Sequence, residues 1–223
     1  MGMRRIATFI FLFVLAATGF TTVLYEAAIS KTRPDRSKWG WFYLSLPTRA
    51  KVTAPGGSGF VTLDTTSSIK IQAGWGKQLT AKLDRRVGYT ATWRMKLVRE
   101  EHSKDGQRAG LSVFVLSDDH YGIEVGYWND RIFVYNDNKT FTPAEFVPFD
   151  PRSKLRTYRL SVHGDRYTLN VDGLDRLSGK LRNYSFFGFP YTRPNSIWYG
   201  DDTTRGESVS QWAEFQVSSA SLR

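Results

Sequence analysis

Tyr158-Arg-Leu-Ser-Val-His-Gly-Asp-Arg-Tyr-Thr-Leu-Asn-Val-Asp-Gly173 carries the alternation on which the fold turns. Tyr158, Leu160 and Val162 are spaced two residues apart, as are Tyr167, Leu169 and Val171, with His163-Gly164-Asp165-Arg166 between the two runs. A period of two sets each trio on one face of a strand, and the Gly-Asp turn folds the second strand back on the first. The stretch predicts an antiparallel hairpin with one apolar face.

Working outward, the same pattern recurs. Val61-Leu63 and Ile69-Ile71 open it, and Tyr89 to Val98 alternates over ten residues. The charged stretch Arg99 to Arg108 then reads as a solvated hairpin end, followed by Leu111–Leu116, Tyr121–Trp128 and Arg131–Tyr135. Residues 136–154 read as a proline-bearing loop. From Phe60 on, no apolar stripe of period 3.6 reaches helical length, so short strands joined by turns predict an all-β antiparallel sandwich or barrel.

Upstream the composition changes. Residues 6–25 hold no charge, and as a helix these 20 residues would be about 30 Å long, the thickness of a bilayer's hydrocarbon core. They predict a transmembrane helix after a cytoplasmic tail at 1–5, with 26–38 as linker and the folded domain at 39–223. A cleaved signal peptide competes, since Met-Gly-Met-Arg-Arg is a fitting positive start. With the N-terminus inside, the domain is expected to be periplasmic or otherwise extracytoplasmic. Of the net charge of +10, residues 1–38 supply +4, flanking the apolar segment where anionic headgroups would lie. Trp39, Trp41 and Phe42, just after the linker, suit either an interfacial aromatic belt on a lipid bilayer or the domain's first strand.

Gly110-Leu-Ser-Val-Phe-Val, Tyr121-Gly-Ile-Glu-Val, the 158–173 hairpin, and Ile197-Trp-Tyr-Gly-Asp-Asp202 followed by Trp212-Ala-Glu-Phe-Gln-Val217 resemble the concanavalin A-like lectin/glucanase superfamily. The resemblance spans roughly residues 60–220. It implies a jelly-roll sandwich of two antiparallel sheets, and it leaves function open among lectins, adhesion modules, glycoside hydrolases and structural domains.

The chemistry is defined mostly by exclusion. With no cysteine, the chain lacks disulfides, cysteine-ligated metals and thiol nucleophiles. The Glu-x-Asp-x-x-Glu strand of the superfamily's hydrolases is missing, leaving a glycoside hydrolase as a remote reading that needs two acids distant in sequence to meet. Glu124, the one acid inside a strand, is expected to face solvent or to pair with a basic neighbour. His102, His120 and His163 stand in three separate turns, without metal-ligand spacing. Asp201, Asp202, Asp118 and Asp119 are weak candidates for calcium, the metal the superfamily often carries.

Two features point to binding. Tyr184, Phe186, Phe187, Phe189 and Tyr191 crowd a loop broken by Gly188 and Pro190, which suits either a docking anchor or a cap on the core. Trp128 and Tyr135, flanking the Asn129-Asp130 turn, are placed to stack on a sugar ring. No nucleic-acid-reading motif is present. The sequence thus predicts a non-enzymatic, membrane-anchored accessory subunit docked on an integral-membrane protein complex, with bioenergetic, light-harvesting or secretion assemblies as the hosts considered. The alternative is a lectin-like module that binds polysaccharide.

Overall fold

The computed structural model describes residues 20–104 and 107–219. In chain order the strands are β1 (Phe20–Glu26), β2 (Phe42–Leu46), β3 (Lys51–Thr53), β4 (Val61–Asp64), β5 (Gln72–Gln78), β6 (Tyr89–His102), β7 (Ser112–Leu116) and β8 (Tyr121–Tyr127). They continue as β9 (Arg131–Tyr135), β10 (Pro143–Pro148), β11 (Arg156–His163), β12 (Arg166–Val171), β13 (Leu174–Lys180), β14 (Arg182–Asn183), β15 (Ser196–Asp201) and β16 (Gly206–Ser219). All the pairings are antiparallel.

Two sheets face each other. The first runs β13-β12-β11-β6-β16-β4-β3, with β1 also on β16; the second runs β10-β9-β8-β7-β15-β5-β2, with β14 on β8. In the hairpin at 158–171, Tyr158 lies opposite Val171, Leu160 opposite Leu169, and Val162 opposite Tyr167. Those side chains are buried with Trp93, Met95, Phe215 and Val217 of the first sheet, against Trp75, Val113, Val125, Ile132 and Tyr199 of the second. The alternation therefore marks the inner face of a sandwich, with the other face of the first sheet left polar.

The second sheet differs, because β7 and β15 are buried along their whole length. Their outward residues Phe114, Leu116 and Trp198 form a separate apolar layer, covered by Tyr184 and Tyr191 from the aromatic loop and by the partly buried Phe42, Leu44, Phe141 and Phe187. Glycines let this layer lie close to the strands. A Cβ at Gly74 would stand 2.5 Å from the Tyr199 carbonyl oxygen and 2.7 Å from the Trp198 ring, and one at Gly76 would fall within the Phe42 ring's space.

Several expectations are corrected. Phe20–Glu26, the end of the expected transmembrane helix, is a strand paired with β16, its run of Thr, Val and Tyr suiting a pleated sheet. Tyr25 is buried, and the Trp41 indole donates to the Leu24 carbonyl at 2.7 Å, so the segment belongs to the sandwich. Residues 1–19, with the rest of the expected anchor and the tail, lie outside the described residues. Among the described residues no helix is long and apolar enough to cross a membrane, which overturns the expected single-pass placement with a cytoplasmic N-terminus and a periplasmic domain. The expected linker packs on the domain: Ala27 and Pro34 are buried, and the Trp75 indole donates to Asp35 at 2.8 Å. Ile69–Ile71 precedes β5 rather than forming a strand, and the proline-bearing loop contains edge strand β10.

Substituting Gly74→Ala should cost about 1–3 kcal/mol through overpacking, read as a Tm lowered by several degrees. A variant as stable as the parent would contradict the close approach of Trp198 and the β15 backbone.

Candidate functional site

A charged cluster sits on the outer face of the second sheet. Glu124 projects from β8 and is fully buried, flanked two residues away on each side by Gly122 and Gly126. Arg108 comes from the chain just before β7, Asp202 from the residue just after β15, and Tyr191 from the aromatic loop. The Arg108 Nη2 donates to Asp202 Oδ1 at 2.6 Å and to Glu124 Oε1 at 3.2 Å. Its guanidinium carbon lies 4.5 Å from the Tyr135 ring centroid and 4.6 Å from that of Phe141. The backbone is fixed on either side, since Ala109 N–H donates to the Tyr135 hydroxyl at 2.6 Å and Gly110 N–H to Glu100 at 3.1 Å.

One hydroxyl faces two carboxyls. Tyr191 Oη is 2.6 Å from Glu124 Oε2 and 3.0 Å from Asp202 Oδ2. One hydroxyl proton is shared between the two carboxyls and satisfies neither fully. Burial pushes Glu124 up to about 8 despite the opposing Arg108, and the neighbouring Asp202 raises it further. The Tyr191 hydroxyl is directed at both carboxyls as donor, and Arg108 Nη2 donates to both from the other side. Burial alone would weaken the Arg108 charge, but the adjacent Asp202 carboxylate, the largest opposing influence, helps to hold the guanidinium protonated.

Asp202, Arg108 and Tyr191 line an open cleft of about 500 Å³, walled by Trp198, Leu44, Phe141, Phe189 and Pro190 and edged by Gln72, Thr203 and Thr204. The Gln72 amide donates to the Asp202 carbonyl at 2.7 Å, tying β5 to the rim. Phe189 leans on Phe42 at 6.5 Å, and Phe42 lies 6.2 Å from Trp198, so the aromatic wall is continuous from β2 through β15 to the loop.

The aromatic loop divides. Tyr184 and Tyr191 are buried and stack at 5.1 Å, Phe187 is half-buried, and Phe186 and Phe189 remain 83% and 53% exposed. Phe189 faces the cleft; Phe186 is the loop's exposed tip. Of the first aromatic group, Trp41 is buried, Trp39 packs partly buried on the core beside Tyr25, and Phe42 joins the outer layer. Trp128 is stacked on His102 at 4.3 Å, and Tyr135 is buried beside Arg108. Asp118 pairs with Lys82 at 2.7 Å and Asp119 with Arg85 at 2.8 Å. Asp201 is buried, accepting from Thr65 at 2.8 Å, and burial holds its carboxyl well above the usual range. Among the described residues no group of three or more acids or histidines is placed to hold a metal.

The solvated reading of Arg99–Arg108 is corrected at both ends, because Glu100 and Arg108 are buried. The site's residues at 108, 124, 191 and 202 come together only through the tertiary fold. One local signal existed: Gly122 and Gly126 share a strand face with Glu124 and leave room for covering side chains.

No protein-family model matches the chain, and no curated protein matches it. Solved structures do. A carbohydrate esterase from the Shiga toxin-encoding bacteriophage phi24B is similar at a TM-score of 0.60 and 16% identity, covering 91% of this chain and 100% of that one. A Bacillus subtilis protein of unknown function with a galectin-like fold gives 0.55 and 12%, covering 92% and 100%. The Emp46p carbohydrate recognition domain gives 0.53 and 12%, covering 87% and 94%. At such identities these similarities show the fold alone, an antiparallel β-sandwich of two sheets.

The raised Glu124 carboxyl gives a pH signature. Between its ordinary 4.5 and about 8 the folded chain holds a proton that the unfolded chain has released. The stability it contributes is complete below the lower value and is lost as pH rises to the upper one. Glu124→Gln removes this slope, so the Tm of the variant relative to the parent should rise between about pH 5 and about pH 9. A difference independent of pH would contradict the raised carboxyl.

Proposed function

We propose that this chain is a glycan-binding module that takes a saccharide in the cleft between Trp198, Phe189 and the Arg108–Asp202 pair. The observation that carries the reading is the pairing of an aromatic wall with a fixed set of hydrogen-bonding groups in one cleft. A sugar ring has an apolar C–H face, which packs on aromatic carbon, and an edge of hydroxyls, which need oriented donors and acceptors. Phe189 and Phe141 supply the first; Asp202, Arg108, Gln72 and the hydroxyls of Thr203 and Thr204 supply the second. The ion pair adds rigidity, because a carboxylate held by a guanidinium and a tyrosine meets its ligand already oriented.

The names of similar structures support a carbohydrate ligand over a membrane-subunit role, since they include a carbohydrate esterase and a carbohydrate recognition domain. An alginate lyase of polysaccharide lyase family 7 is also similar, at a TM-score of 0.51 and 13% identity. Within the cluster the two carboxyls are unequal. Asp202 lines the cleft, whereas Glu124 lies behind Tyr191, and this arrangement favours recognition over a two-carboxylate displacement.

Phe189→Ala should weaken glycan binding about tenfold, as expected for losing one stacking ring, with little change in Tm because the ring is half exposed. Calorimetric titration of the parent and variant chains with a saccharide selected on a glycan array measures this. An array on which the parent binds nothing would contradict the reading.

A further inference from the structure

The cleft does not end at Arg108. Beyond its guanidinium lies a second hollow of about 260 Å³, lined by Gln107, Lys139, Thr140 and Arg205 together with Arg108, Phe141, Thr203 and Thr204. The last four residues also line the aromatic cleft, so the two hollows are continuous across them. Their electrostatic characters differ. The aromatic cleft carries Asp202 beside Arg108, while the second hollow is lined by three cationic side chains and, among the described residues, by no acidic one.

Arg108 is also incompletely used. Its Nη2 serves both Asp202 and Glu124, yet Nη1 is buried without a hydrogen-bond partner. A buried donor left unpaired costs free energy that an incoming acceptor would recover, and an anionic acceptor recovers most. With Glu124 protonated, Asp202 alone offsets Arg108, leaving the charge of Lys139 to face a ligand uncancelled by the cluster.

We propose that this hollow is a subsite for the anionic substituent, carboxylate or sulfate, of an acidic glycan whose adjoining sugar lies against the aromatic wall. The proposal rests on the glycan-binding reading and deepens it by naming the ligand's charge. Arg108 would act by donating from its unpartnered Nη1 to the anionic oxygen, and Lys139 by supplying a solvent-facing point charge at the hollow's rim.

Retention of the full-length chain on paired polymers tests it, with polygalacturonate against its methyl ester for carboxylate, and a sulfated galactan against its desulfated form for sulfate. The expected result is retention of the acidic member of at least one pair about tenfold more tightly than its neutral counterpart. That preference should weaken as salt is raised. Which pair responds identifies the substituent. Lys139→Ala should weaken binding of the acidic member about five- to tenfold and leave any binding of the neutral member unchanged. Equal retention of both members, or an equal effect of Lys139→Ala on both, would overturn the acidic subsite while leaving glycan binding standing. Retention of none of the four polymers by a chain that does bind on the glycan array would overturn the acidic subsite alone, and an array without any bound saccharide would overturn both.

Discussion

A guanidinium held nine-tenths out of water is the constraint on which the outer half of this molecule depends. Removing an arginine from solvent costs several kcal/mol unless charge and hydrogen bonds replace the lost hydration. Here the replacement comes from every direction. Asp202 arrives from just beyond β15, Glu124 from β8, Tyr191 from the aromatic loop, and the rings of Tyr135 and Phe141 cover the guanidinium's faces. Five separate segments are therefore tied to one charge. Losing any partner would leave the others buried and unbalanced, and the loop positions around the cleft follow from this.

The sandwich supplies the platform. Its first sheet buries one face and leaves the other polar, as a two-layer β fold requires. The second sheet buries both faces, because aromatic rings from β2, the loop at 184–191 and Phe141 lie over Phe114 and Trp198. Glycines at 74 and 76 make that second layer geometrically possible by clearing the space where the rings sit. A cleft forms where this outer layer stops short, between Trp198 and the rim residues Thr203 and Thr204, and its floor is the ion pair. Aromatic area and oriented charge thus reach the same opening through one packing arrangement.

Much of the fold was legible from period-two alternation, because inward residues such as Tyr158, Leu160 and Val162 must be apolar at every second position. The hairpin at 158–171 forms with the expected pairing. The apolar run at 6–25 misled because its lack of charge outweighed the β-branched composition of its last residues, which a sheet accommodates well. β10 escaped notice because Pro143 and Pro148 bound it, and prolines are tolerated at the ends of an edge strand. The site was legible only in fragments. Tyr191 was visible as one of five loop aromatics and Asp202 as one of a pair of acids, while Arg108 was lost in a charged stretch. Nothing local announces that residues 108, 124, 191 and 202 meet, since their approach is made by sheet order and loop return.

Hydroxyl-radical footprinting of the full-length chain, with and without the polysaccharide it retains most tightly, tests the central claim that the glycan lies in the cleft on the second sheet. The account predicts protection at Phe189, Pro190 and Tyr191, with the exposed tip Phe186 and Trp128, neither of which lines the cleft, unchanged. Protection centred on Trp128, or none at Phe189 in the presence of saturating saccharide, would contradict it.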